Sequence, residues 1–358
     1  MPLTGLKVID LSRFLPGPQA AALLGDYGAE VTRIEHPRHG LARDRAQGVD
    51  TLSGEARDRA RETELTGRNK RWLRLAFDAE PGRSQLARLI ADADVLIHDY
   101  RPGAAAALGL GADTLTATYP TLVHVAVSAT GATGPRAGAP GHDPVALALS
   151  GALSRSGEVP HLFGFPCADL LTAAHAAFAV MVALWRRRET GAGAALDAAM
   201  SDSALALMVS VFGRQQRTGQ EPPLAFAMGD NAVFSCADGG HVVATNMERG
   251  FWNRFCEVMD RPDLADRFAD PDRADVLAAL GGVYGARDRD DWDRLAAAHD
   301  VQIAPVLTPA EAMAEPHHHA RGALLRSALG TVLPGRPVRF ADLPTAEPRP
   351  AREPETLT

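Results

Sequence analysis

Four residues have types and settings suited to chemistry at a carbonyl compound. Arg101 lies in Tyr100-Arg101-Pro102-Gly103, His142 in Gly141-His142-Asp143, Asp169 at the head of a long apolar run, and Glu248 shortly after a strand-like segment. A carboxylate, an imidazole and a guanidinium can together remove a proton, return one, and hold developing negative charge. Each also has an ordinary structural role. Asp169 suits a helix N-cap, Glu248 the positive end of a helix dipole, His142 a loop that opens a helix, and Arg101 the surface after a strand. Taken singly, none of the four defines a function.

Such residues need elements to position them, and the first third of the chain supplies a clear alternation. Val8–Leu11, Glu30–Glu35, Trp72–Asp78, Asp94–Ile97 and Leu122–Ser128 read as short β-branched strands, separated by Ala/Leu-rich helices near 18–27, 83–92 and 112–118. That order predicts right-handed βαβ units and a parallel sheet, an α/β fold. The turn after the first strand, Ser12-Arg13-Phe14-Leu15-Pro16-Gly17-Pro18, lacks the Gly-x-Gly-x-x-Gly that cradles a pyrophosphate, which disfavours NAD or flavin. Residues 36–70 are charged and aperiodic, and read as a solvated excursion with an Arg-rich part disordered without ligand. The glycines and prolines of 131–141 predict a loop that delivers His142 to the next helix. The run Leu170–Trp185 reads as a buried helix, shorter than the ~20 residues that span a bilayer. From about 232, Ala232–Cys236, Asp238-Gly239-Gly240 and His241–Thr245 predict a hairpin in a second, smaller α+β domain. The Pro-rich tail 334–354 is expected to lie extended over the surface.

Composition narrows the class. Across 358 residues the chain is 46% hydrophobic and 23% charged, a globular balance with room for two domains. The formal charge of −7 argues against nucleic acid or an anionic membrane as main partner. Cys167, Cys236 and Cys256 are scattered, with no zinc or disulfide spacing, and a cytoplasmic location is expected. His317-His318-His319 is not read as a metal site, because adjacent side chains point in different directions.

Several motifs, in order, resemble the class III CoA-transferase (CaiB/BaiF) family along nearly the whole chain. They are Leu3-Thr4-Gly5-Leu6-Lys7-Val8-Ile9-Asp10-Leu11 with Gly17-Pro18, Leu24-Gly25-Asp26-Tyr27-Gly28-Ala29-Glu30-Val31, Arg68-Asn69-Lys70-Arg71, Ala93–Ile97 leading to Arg101-Pro102-Gly103, and Thr133-Gly134-Pro135. The resemblance implies a Rossmann-like large domain built from both chain ends (1–200 and 306–358), a linker helix and loop (201–231), a small domain (232–305), and an interlocked homodimer. It also implies coenzyme A as part of the substrate, with no permanently bound cofactor and no metal. Leu15, Pro16, His36, Arg38, Lys70, Arg71, Tyr100 and Ala104 fall where the family binds coenzyme A, cations toward phosphates and Tyr100 and Leu15 as apolar walls. His36 replaces an arginine usual in the family, with Arg38 two residues away, and 128–133 lacks the usual aromatic and glutamine.

Within that family the racemase-like branch carries Arg, His, Asp and Glu at the positions of Arg101, His142, Asp169 and Glu248. The expectation placed first is therefore racemisation at the α-carbon of a 2-methyl-branched acyl-CoA. Asp169 and a His142/Glu248 pair would act on opposite faces, with the enolate oxygen held by backbone N–H groups of the helix after Asp169 and by Arg101. The alternative is CoA transfer to a carboxylic acid, with Asp169 attacking the thioester. A third possibility is a non-catalytic acyl-CoA-binding protein.

Overall fold

The structure, a computed structural model, describes residues 1–224, 228–343 and 348–356. Residues 225–227 of the expected linker, and 344–347 and 357–358 near the C-terminus, lie outside the described residues. The chain divides into two compact units, Met1–Gly213 with Pro316–Thr358, and Arg214–Glu315.

The first unit is built on seven parallel strands. These are β1 (Lys7–Asp10), β2 (Glu30–Glu35), β3 (Lys70–Arg74), β4 (Val95–His98), β5 (Val123–Ser128), β6 (Ala194–Ala199) and the C-terminal strand Glu355–Thr356. Their spatial order is C-terminal strand, β3, β2, β1, β4, β5, β6, with every neighbouring pair parallel. This is the doubly wound order, and its direction reverses between β1 and β4. Ligands of such sheets bind outside the carboxyl ends of the strands at that reversal. The five strands expected from the sequence are all present, and the tail was expected on the surface, yet its end joins the sheet. Glu355 and Thr356 pair with Leu73 and Arg74, and Ala351 is buried.

The helices of this unit include α1 (Pro16–Asp26), α2 (Pro37–Ala46), α3 (Gly54–Glu62), α4 (Gly82–Ala91), α5 (Pro102–Ala107), α6 (Ala112–Thr118), α7 (Asp143–Ser150), α8 (Cys167–Thr190) and α9 (Met200–Leu205). One apolar layer joins Val8, Val31, Val95, Val123 and Val125 to Ala20, Ala21 and Leu24 of α1 and Ala173, Ala176 and Val180 of α8. The opposite layer joins Ile9, Ile34 and Leu96 to Leu86 and Ile90 of α4, Ala105 of α5 and Leu115 of α6. Burial on both faces is what lets these strands read as continuous apolar runs. Small residues bring α1 in close: a Cβ on Gly17 would lie 2.4 Å from that of Ser12.

Two expectations need correcting. Residues 36–70 are ordered rather than a solvated excursion, because their charges neutralise one another inside the unit. Asp44, 1% exposed, accepts from Arg43, Arg61 and Arg74, and Arg61 reaches on to Glu64 and Glu353. The long helix is also not wholly buried. Residues Cys167–Thr190 form one helix long and apolar enough, by length and composition, to cross a membrane. Thr172, Ala173, Ala176 and Val180 face the core, while Phe178, Val182 and Trp185 are exposed.

The second unit contains the expected hairpin, β7 (Ala232–Ser235) antiparallel to β8 (His241–Ala244), extended by β9 (Ile303–Pro305). Phe234 and Phe255 stack on Tyr284, whose hydroxyl donates to the buried carboxylate of Asp230.

Candidate active site

The reversal between β1 and β4 opens into a cavity of about 670 Å³, walled by Phe14 and Pro16 after β1, Tyr100, Arg101 and Ala104 after β4, and His142, Asp169 and Met200. An ion pair stitches the two loops together. Asp99 accepts from the backbone N–H of Arg13 and of Phe14, and from Arg13 Nε at 2.9 Å. The same guanidinium lies over the ring of Tyr100, 4.5 Å from its centroid. A neighbouring hollow of about 690 Å³ shares Arg13 and Phe14 and is lined by Leu15, Arg33 and Arg43.

His142 stands at the N-cap of α7, its ring meeting Phe14 edge-on at 5.6 Å. Asp169 lies in the first turn of α8, where Pro166 rather than Asp169 occupies the N-cap. Burial pushes the Asp169 carboxyl up to about 6; Asp143 adds to the rise and His142 opposes it. Asp143 Oδ1 accepts from the N–H groups of Ala168 at 2.6 Å and Asp169 at 3.2 Å, and Leu170 N–H donates to Pro166 O. These N–H groups are therefore engaged within the protein, which corrects the expectation that this turn holds an enolate oxygen.

Six of the twelve residues expected from the sequence, Pro16, Tyr100, Arg101, Ala104, His142 and Asp169, share one cavity. Leu15 lines the adjoining hollow. Lys70, expected to face phosphate, is fully buried, its Nζ donating to Asp10 at 2.7 Å and to Pro18 O at 2.7 Å. Arg71 pairs with Glu355 and ties down the C-terminal strand. Lys70 belongs to the framework, because its own buried carboxylate neutralises it, whereas Arg71 keeps 57% of its side chain exposed. His36 caps α2 by accepting from Arg38 N–H and contacts Asp78 at 2.9 Å. Arg38 also touches Asp78 but keeps 80% of its side chain exposed. Glu248 is the N-cap residue of the helix Arg249–Val258 in the second unit, with its side chain exposed. Sequence reasoning missed Arg13, Asp99 and Asp143. Their signal was position: Arg13 and Asp99 follow the two strands that flank the reversal, and Asp143 follows His142.

A parallel sheet of this order with a carboxylate in a pocket at its reversal defines a class of small-molecule enzyme, and the sequence supplies the family. The chain belongs to CoA-transferase family III, whose pattern matches residues 3–356. It is 31% identical over 347 residues to the succinyl-CoA–L-malate CoA-transferase alpha subunit of Chloroflexus aurantiacus, covering 90% of this chain and 78% of that one. It is 29% identical over 366 residues to the acetyl-CoA:oxalate CoA-transferase of Acetobacter aceti, covering 98% and 92%. Among solved structures, a CaiB/BaiF family protein from Brucella suis matches with a TM-score of 0.86 at 27% identity, over 99% of this chain and 96% of that one.

Proposed function

We propose that this enzyme moves coenzyme A from an acyl-CoA to a free carboxylic acid, with Asp169 as nucleophile. The observation that carries the reading is Asp169 itself, half-buried in the cavity at the sheet reversal with a carboxyl pushed up to about 6. Such a group is ionised at neutral pH yet more basic than an ordinary aspartate. Both sequence relatives described above are CoA-transferases, so the alternative placed second on the sequence is better supported than racemisation.

The chemistry balances with no external oxidant or base. Asp169 attacks the thioester carbonyl, the C–S bond breaks, and the thiolate leaves a mixed anhydride. The thiolate then attacks the Asp169 carbonyl, releasing the donor acid as carboxylate and leaving coenzyme A on Asp169 as a thioester. The acceptor acid runs the same two steps in reverse. Phe14, Pro16, Val127 and Met200 give the cavity an apolar wall beside these reactive acyl groups. His142 and Arg101, in the same wall, are placed to donate hydrogen bonds toward the negative oxygen of the tetrahedral intermediates. Arg38, paired with Asp78 at 3.1 Å, is the most exposed of the three cations expected to meet a phosphate.

Transfer is tested by incubating one acyl-CoA with a panel of free carboxylic acids and following new thioesters by mass spectrometry. Exchange is expected with the native enzyme, and Asp169→Asn should lose roughly 10⁴-fold or more in kcat, the scale for removing a nucleophile. Absence of any new thioester, together with α-deuterium uptake from heavy water, would support racemisation. That second reading keeps one observation in its favour, His142 and Asp169 in a single cavity.

We also propose a homodimer that covers the exposed face of α8. Phe178, Val182 and Trp185, 69%, 52% and 65% exposed, recur at helical spacing and form one apolar stripe.

A further inference from the structure

Resting on the transfer reading, we propose that Asp143 is the positioning residue of the reaction: its carboxylate caps the helix that carries Asp169, fixes the backbone of the nucleophile, and sets the charge environment in which it attacks. Asp143 is 7% exposed, while His142 and Pro144 on either side of it line the cavity. It therefore acts through Asp169 and not on substrate.

The need for a cap is plain in the sequence of α8. A helix leaves its first N–H groups without intrahelical partners, and Pro166 at the N-cap has no side-chain acceptor to offer them. Asp143, the first residue of α7, supplies that acceptor from 25 and 26 positions away, binding the N–H groups of Ala168 and of Asp169 itself. One carboxylate oxygen thus joins the starts of the two helices that carry His142 and Asp169.

Capping alone does not require a charge. Serine or asparagine caps as well as aspartate, and a buried carboxylate costs more to desolvate than either. The carboxylate does something a neutral cap cannot: it disfavours ionisation of the neighbouring Asp169 and so keeps that group basic. The charges acting on Asp169 are Asp143, which raises it, and His142, which lowers it. Arg13, Asp99 and Arg101 line the rest of the cavity, and Arg13 and Asp99 neutralise each other. Ionisable groups on the other elements packed against α8 are engaged elsewhere. Asp26 of α1 binds Arg68, His124 of β5 meets Thr116, Asp197 of β6 accepts from Ala132, and Asp202 of α9 accepts from Ser201.

Two variants separate cap from charge. Asp143→Asn keeps an oxygen for the two N–H groups and removes the charge, whereas Asp143→Ala removes both. Asp169 is titrated in the substrate-free protein by carbon-13 NMR of labelled aspartate, its signal assigned with Asp169→Asn, and kcat and KM for transfer are followed against pH. Asp143→Asn is expected to move both the Asp169 titration and the acid limb of kcat down by roughly one pH unit. Asp143→Ala should lose about a hundredfold in kcat, the scale of a roughly 1 Å misplacement of a reacting group, with less change in KM. Should Asp143→Ala fail to fold, the Asp143→Asn titration decides alone. An unmoved titration and acid limb in Asp143→Asn overturns the proposal and leaves Asp143 a replaceable cap. The titration needs no turnover, so a native enzyme that transfers no coenzyme A, yet shows the shift, would refute transfer and not the hold of Asp143 on Asp169.

Discussion

Asp169 has to be ionised before it can attack a carbonyl, so the group that burial pushes up to about 6 should govern activity on the acid side. Turnover is expected to be full above neutrality and to fall as pH drops through about 6, where the carboxylate takes up its proton. A kcat profile flat from pH 7.5 to well below 5 would count against Asp169 as the nucleophile. At this scale the sequence was informative about type and blind to partnership. Asp169, His142 and Arg101 share the cavity, and residue type made them candidates, although only the family resemblance singled them out from other carboxylates, imidazoles and guanidiniums. Lys70 announced a phosphate in the same way, yet its ammonium is buried against Asp10, some sixty residues away in sequence. No local pattern reveals such a partner. Asp143 and Asp99 were overlooked for a related reason: part or all of what they bind is backbone N–H, which carries no residue type to read, and their partners are distant in sequence.

At the scale of elements, the segment from α2 to α3 shows how a charged stretch becomes core. Its helices carry no apolar stripe, so periodicity reads them as loop, whereas Asp44 and Arg61 are both almost wholly buried. Burial would raise the Asp44 carboxyl, but hydrogen bonds from Arg61, Arg43 and Arg74 outweigh it and hold the group well below the usual carboxylate range. A carboxyl depressed on folding stabilises the native state above its unfolded value of about 3.9, and that contribution is lost as pH falls from there toward the folded value. Asp44→Asn should therefore cost about 3–5 kcal/mol at pH 7, the scale for breaking a buried ion pair. The gap in melting temperature between native and variant protein should narrow below about pH 4. A gap that is small at pH 7, or widens in acid, contradicts a stabilising role for the network. Four of the strands, by contrast, were legible to within a residue at each end, because in a sheet covered on both faces they read as apolar runs, whereas the expected Trp72–Asp78 meets β3 only over 72–74 and the half-exposed edge strand β6 was not read at all.

At the scale of the molecule, the strand order locates the site: the sheet reverses between β1 and β4, and the cavity opens there. The C-terminal strand closes the far edge, held by Arg71 to Glu355 and by Asn69 to the backbone of Arg349, so both chain ends enter one sheet. That closure was legible only through the family resemblance, since a two-residue strand in a Pro-rich tail has no pattern of its own. The dimer was expected from the family resemblance, and the exposed stripe on α8 is the face proposed for it. Light scattering should give the mass of two chains, and Trp185→Glu, which places a charge in that stripe, should lower it; a native mass of one chain contradicts the dimer. The central claim, that coenzyme A passes through a covalent bond to Asp169, is tested most directly by trapping. The enzyme is mixed with acyl-CoA and hydroxylamine, digested, and read by mass spectrometry for hydroxamate on the peptide that contains Asp169. Modification of Asp169 that requires acyl-CoA and is absent without it is the expected result. An unmodified Asp169 in enzyme that is still converting acyl-CoA would contradict the mechanism.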